Sequence, residues 1–208
     1  MAAPRIEPRF RWPLAAAAAL LMMAGTSLAA QETTEGAFGI RAIGAAGLHV
    51  GAATIQRNVE GFEIGGRLDV GHFPIHRIRV VADVSFLRSL QYEERVPDED
   101  ATYRDVFYDL SGNLMFQVHA TDPSRRLSPY IAGGVGVHAL TSSFGSTLID
   151  LRYNTNNLGL RGAAGARLRL GSGRRRAMFV EVAGTLVRNV TRSSVHLGLE
   201  ALFGDLAR

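Results

Sequence analysis

Residues 128–140 read SPYIAGGVGVHAL. The stretch is apolar enough to be buried, yet Gly133, Gly134 and Gly136 interrupt it, and glycine weakens a strand interior. Split by parity, one row carries Ile131, Gly133, Val135, Val137 and Ala139. The other carries Tyr130, Ala132, Gly134, Gly136 and His138. Successive strand residues point to opposite faces, so the solvent each row meets decides the fold.

Seven other stretches repeat the alternation, which is the mark of a strand with two unlike faces. In FGIRAIGAAGLHVG the apolar row ends in Leu48 and Val50, against Arg41 and His49. EGFEIGGRLDVGH sets Phe62, Ile64, Leu68 and Val70 against Glu63, Arg67 and Asp69. IRVVADVSF sets Ile78, Val80, Val84 and Phe86 against Arg79, Asp83 and Ser85. RDVFYDLSGNLMFQV sets Val106, Tyr108, Leu110, Leu114, Phe116 and Val118 against Asp105, Asp109, Ser111, Asn113 and Gln117. After the opening stretch, NLGLRGAAGARLRL sets leucines 158, 160, 168 and 170 against Arg161, Arg167 and Arg169. AMFVEVAGTLV sets Met178, Val180, Val182 and Leu186 against Glu181 and Thr185. SVHLGLEALF sets Val195, Leu197, Leu199 and Phe203 against His196 and Glu200.

A water-soluble antiparallel sheet also alternates, with its apolar row inward. Three features favour the inverse. Several of these strands exceed the usual soluble length of about 5–6 residues and match the ~9–11 needed to cross a bilayer. The polar rows mix acids, arginines and small residues, as a narrow filled interior requires. The connections FPIH, ATDPSRR and GSGRRR are short, whereas LQYEERVPDEDATY and TSSFGSTLIDLRYNTN are long. Short inner turns and long outer loops mark outer-membrane barrels. The reading is an all-β, eight-stranded antiparallel up-and-down transmembrane barrel over residues 31–208, with 52–60, 88–102, 141–156 and 188–194 facing outside. Aromatics near strand ends (Phe38, Phe73, Phe86, Tyr92, Tyr103, Phe116, Tyr130 and Phe203) fit interfacial girdles.

Residues 1–30 are a different object. Arg5, Arg9 and Arg11 precede the apolar PLAAAAALLMMAG and the small-residue end TSLAA, the plan of a secretory signal peptide. Cleavage after Ala29 or Ala30 is expected, with export through the periplasm to the cell outer membrane. No cysteine is present, which excludes disulfides, thiolate chemistry and cysteine zinc sites. The net charge is +4, its basic residues are scattered, and the one run, Arg174–Arg176, is short. A nucleic-acid partner would need a basic face with interleaved aromatics, so none is expected.

At PYIAGGVGV, NLGLRGAAGARLRL and MFVEVAGTLV the chain resembles the small eight-stranded outer-membrane barrels around the OmpA membrane domain and OmpX. The resemblance spans about residues 36–203. It rests on a Pro-Tyr opening onto small residues, on Glu181 facing inward in the next-to-last strand, and on a last strand that reaches Phe203 through alternating apolar residues. The chain departs from the pattern in continuing as GDLAR beyond Phe203. The resemblance implies a monomeric barrel that meets outer-membrane lipid, lipopolysaccharide and the outer-membrane assembly machinery. The expected role is structural or surface-interacting and non-enzymatic. The alternatives are a channel or transporter for small or apolar molecules, a lipid-modifying enzyme, and a soluble secreted barrel.

The inward row holds Arg41, Glu63, Arg67, Asp69, Arg79, Asp83, Asp105, Asp109, Arg161, Arg167, Arg169, Glu181 and Glu200. Unpaired buried charge is costly, and eight strands leave an interior that side chains just fill. A paired plug with no wide pore is therefore expected. His49 and His196, on neighbouring closing strands, are placed with Glu63 near the outer rim as a candidate metal or acid–base cluster. Ser194, His196 and Glu200 superficially resemble the lipid A deacylases, but they fall on the inward row, and the His-x-Ser-Asn order of that family is missing. The acidic Glu93, Glu94, Asp98, Glu99 and Asp100 lack calcium-loop spacing. The sequon at 189–191 reads as chance. No catalytic, cofactor-binding or metal-binding residue is assigned. Ala132, Gly134 and Gly136 are expected to leave room for Arg41 or Arg79 from the opposite wall, with Gly133 at a local bend.

Overall fold

A computed structural model describes residues 43–207, except 57–58, 74, 76, 91, 97–100, 146–149, 172–174 and 189. Nine β-segments run in chain order: β1 (Ala45–Ile55), β2 (Val59–His72), β3 (Ile78–Ser89), β4 (Tyr92–Val96), β5 (Ala101–His119), β6 (Leu127–Gly145), β7 (Asp150–Leu170), β8 (Arg176–Val187) and β9 (Val190–Leu202). Each pairs antiparallel with its neighbour, and β1 pairs with β9 along Ala45↔Leu202 to Ile55↔Arg192, which closes the sheet. Segment β4 continues β3 along the same edge of β5. The wall therefore has the eight expected staves. Closure removes free edges across the membrane, where an unpaired backbone group has no water to bond.

The rows face as the alternation requires. Leu158 (79 %), Leu48 (70 %) and Ile131 (64 %) are exposed outward, while Arg161, His49 and Glu181 are buried within. An outer surface of leucine, valine and isoleucine over a charged interior is an inside-out protein. The water-soluble alternative fails on this facing.

Several expected boundaries move. Strand β1 runs on to Ile55 and β2 begins at Val59, so 52–60 is largely strand. Residues 38–42 of the first expected stretch, Arg41 among them, lie outside the described residues. Segment 88–102 holds β4 and the start of β5, and 141–156 holds the ends of β6 and β7. Segment 188–194 is mostly β9. Sheet pairing continues beyond the apolar belt, so the change from apolar to polar residues does not mark a strand end. Tyr130 leaves the expected girdle and points into the lumen.

Two apolar clusters lie at the ends of the lumen. At the end where β1 begins and β9 ends, a 3-10 turn over Gly204–Ala207 folds Leu206 against Ala45, Ala177 and Leu202. Gly204 makes that reversal at φ 52, a conformation open to glycine. Phe203 N–H donates to Gly44 O at 2.8 Å, which ties the tail across the closing seam. At the far end Ala53, Ile55 and Leu87 pack with Val59, Phe107 and Val190.

Candidate functional site

Between the two caps lies a column of charge. Six carboxylates (Glu63, Asp69, Asp83, Asp109, Glu181, Glu200) face six guanidiniums (Arg67, Arg79, Arg161, Arg167, Arg169, Arg192), all buried. Among the described residues their formal charges cancel. Four buried histidines, His49, His119, His138 and His196, join them. Asp105 keeps the inward parity of Asp109 but is exposed, and Arg192, in the segment expected as a loop, is buried.

The middle tier centres on Glu181. Arg67 Nη2 donates to both its carboxylate oxygens at 2.8 Å, and Tyr130 Oη donates at 3.0 Å. Arg161 Nη2 adds a third donor at 3.3 Å. Phe179, also inward, lies beneath the Arg67 guanidinium at 4.3 Å from its ring centre. Next to this knot, His196 Nε2 sits 3.1 Å from Glu63, and His49 Nε2 sits 3.0 Å from Asp83. The two imidazoles meet edge to face at 5.0 Å.

Arg67 reaches Glu181 from β2, which is separated from β8 by β1 and β9, and Phe179 stands two residues before Glu181 on β8 itself. Toward the termini, Arg79 binds Asp69 at 2.5 Å and Arg167 binds Glu200 at 2.7 Å. There His119 Nδ1 is hydrogen-bonded to Ser128 Oγ at 2.7 Å. Toward the far end, Arg192 donates to Asp109 at 2.8 Å, and His138 Nδ1 meets the same carboxylate at 2.9 Å.

His49, His196 and Glu63 are thus brought together as expected, but at mid-lumen instead of at the rim. Moreover, His49 takes Asp83, not Glu63, as its partner. Among the described residues no group of three or more such side chains has the geometry to hold a metal ion. Ser194, His196 and Glu200 point inward, and Ser194 Oγ makes no hydrogen bond to His196. The side chains of the 93–100 acidic segment, the sequon's Asn189 and Arg174 lie outside the described residues.

The glycines of the opening stretch also find their reason. A Cβ on Gly134 would press on the Leu114 carbonyl oxygen and lie 2.7 Å from Met115 Cα. One on Gly136 would strike Asn113 Oδ1 and come within 2.9 Å of Gly112 O. What these glycines admit is the adjacent strand β5, not Arg79 from across the lumen; Arg41 lies outside the described residues. Gly133 faces outward with nothing within 4 Å, and its pairing is continuous with Phe116 and Gly162, so no bend is present there.

The family model described as "Outer membrane protein beta-barrel domain" matches residues 16–185. The chain belongs to that family. Among solved structures, the barrel is similar to a major outer membrane protein from Thermus thermophilus, at 12% identity and TM-score 0.53, covering 76% of this chain and 99% of that one. The N-terminal β-barrel domain of Pseudomonas aeruginosa OprF matches at 14% identity and TM-score 0.51, covering 77% and 98%. Neisserial surface protein A matches at 14% and 0.50, covering 76% and 96%. At these identities the likeness is one of fold. No curated protein matches the chain. The barrel is thus an outer-membrane protein, and its charged interior belongs to a family built to face lipid.

Proposed function

We propose that this barrel is a non-enzymatic surface-interaction protein whose membrane part is a closed support. The observation that carries the reading is a sheet running past the wall. Residues Asp150–Leu158 of β7 pair with β6 alone, because β8 begins its pairing with β7 only at Gly159. That free edge exposes Leu151, Arg152, Tyr153, Asn154, Thr155 and Asn156. On the other side β4 pairs only with β5. Unpaired strand edges accept an extended segment from another chain, since backbone donors and acceptors are already in line. The partner of this reading is therefore an extended peptide segment at the cell surface.

The lumen supports a closed support rather than a conduit. Apolar clusters lie at both ends, and between them the buried charges of the described residues balance, which supports a closed interior. A narrow conduit is the second reading. It draws on Glu63, which has Arg161, Arg192 and His196 at 3.7, 3.8 and 3.1 Å without a direct hydrogen bond. These looser contacts are the ones a small gated path would rearrange.

Purified barrel in detergent micelles, applied to an array of immobilised extended peptides, tests the proposal. Lysines on an edge discourage strand addition, so Tyr153→Lys/Thr155→Lys should lower retention on the bound peptides by ~10-fold. Equal retention of the variant, or no retention of the parent above bare support, would refute edge recognition. Planar-bilayer recording tests the closed lumen, and large stable conductance would establish the conduit instead.

A further inference from the structure

The end where β1 begins and β9 ends carries a ring of exposed arginine. Arg77 lies in the turn between β2 and β3, Arg125 and Arg126 in the turn between β5 and β6, and Arg175 and Arg176 where β8 begins. Backbone bonds join these turns into one rim. Arg77 O accepts from His119 N–H, Arg126 O from Arg169 N–H, and Arg175 O from Leu202 N–H, each at 2.8 Å. Among the described side chains of these turns, Asp122 is the one exposed acid. Among the described residues the buried charges of the lumen cancel, so this excess is not consumed by them.

The rim also sits at the edge of the apolar belt. Ile75, Leu127, Leu170 and Phe203 are exposed beside these arginines. Apolar side chains adjoining guanidiniums describe the level of lipid headgroups, where long basic side chains reach phosphate while their neighbours enter the acyl region. Guanidinium pairs with phosphate oxygens in bidentate fashion. We infer that this rim binds the headgroups of anionic glycerophospholipid in the leaflet that it faces, anchoring and levelling the barrel from its terminal end. The inference rests on the membrane reading of the fold and not on the proposed strand-edge recognition at the opposite end.

The test uses the whole barrel in neutral detergent micelles, offered dioctanoyl phosphatidylglycerol and dioctanoyl phosphatidylcholine in equal amounts. Bound lipid is counted by native mass spectrometry. Each basic residue near an anionic surface favours binding several-fold, so phosphatidylglycerol should be enriched by at least ~10-fold at low salt and less at high salt. The variant with all five arginines changed to glutamine should fall to within ~2-fold of parity. A control with Arg88, Arg152 and Arg188 changed to glutamine, at the opposite end, should keep the enrichment. Heat-modifiable migration on gels establishes that each variant is folded. Absence of enrichment in the parent, or equal loss in both variants, would overturn the proposal. So would arginine-dependent sedimentation with peptidoglycan sacculi in place of lipid enrichment, which would assign the rim to the cell wall. Preferential capture of lipopolysaccharide by the five arginines would place the rim in the other leaflet and overturn it too.

Discussion

Adding one methyl group at Gly134 should unfold more of the barrel than adding one at Gly133, although the two are adjacent. At Gly134 the new Cβ meets backbone, the Leu114 carbonyl and Met115 Cα at 2.7 Å. No rotamer change relieves a contact with backbone, so β5 and β6 must separate locally. Overpacking costs about 1–3 kcal/mol even where side chains can shift, and the upper end applies here. At Gly133 the methyl enters lipid-facing space with nothing within 4 Å. There it removes the entropic penalty of glycine, about 0.5–1 kcal/mol, and adds apolar surface on the lipid side. Gly134→Ala should therefore destabilise by ~3 kcal/mol and Gly133→Ala should stabilise by ~0.5 kcal/mol. Urea unfolding of barrels inserted in vesicles reads the difference, with tyrosine near-UV dichroism as the signal. Equal effects at the two positions would mean that the facing of β6 is wrong, and with it the outward apolar row.

Two further outcomes follow from the interior. Glu181→Gln leaves Arg67 and Arg161 buried beside a neutral amide, which should cost about 3–5 kcal/mol, whereas Arg67→Gln/Glu181→Gln should recover at least half of that; additive losses in the same urea titration would show that the 2.8 Å pair carries no coupling. Leu206→Asp puts a charge into the cluster with Ala45, Ala177 and Leu202; it should release the terminal turn, seen as faster hydrogen exchange at the Phe203 and Leu206 amides, and unchanged exchange would show that Leu206 does not hold the cap.

The staves could be read because lipid enforces the period. Wherever a strand crosses the membrane, every second residue must be apolar, and Leu48, Ile64, Leu114, Ile131 and Leu197 declare that row directly. Outside the membrane that constraint lapses while pairing continues, which is why Ser142, Tyr153 and Asn154 looked like loop although they are strand. The segment RNVTRSSVHL misled for the same reason. Its polar character suggests a turn, yet Arg192 is in phase with Ser194, His196 and Glu200, and that phase was the available signal for an inward arginine. His119 and His138 share it with Gln117 and Gly136. Partnerships across the lumen had no such signal. That His49 faces Asp83 and not Glu63 depends on how far the staves are staggered, a quantity that alternation leaves free.

The neutral column does more than fill space: it fixes the register. A one-residue slip of any stave would turn its inward row toward lipid. For β7 that would expose Arg161, Arg167 and Arg169, and a lipid-facing arginine costs about 2–4 kcal/mol near the bilayer midplane. Of the partners left behind, Glu200 would lose Arg167, and Glu181 would lose Arg161 and keep Arg67. Both penalties act together, so the alternative registers lie far above the native one. A ring of leucines inside would pack as well and would tolerate the slip. Charge in the interior, together with glycines at 134 and 136 that admit only one approach of β5, leaves the sequence a single way to close.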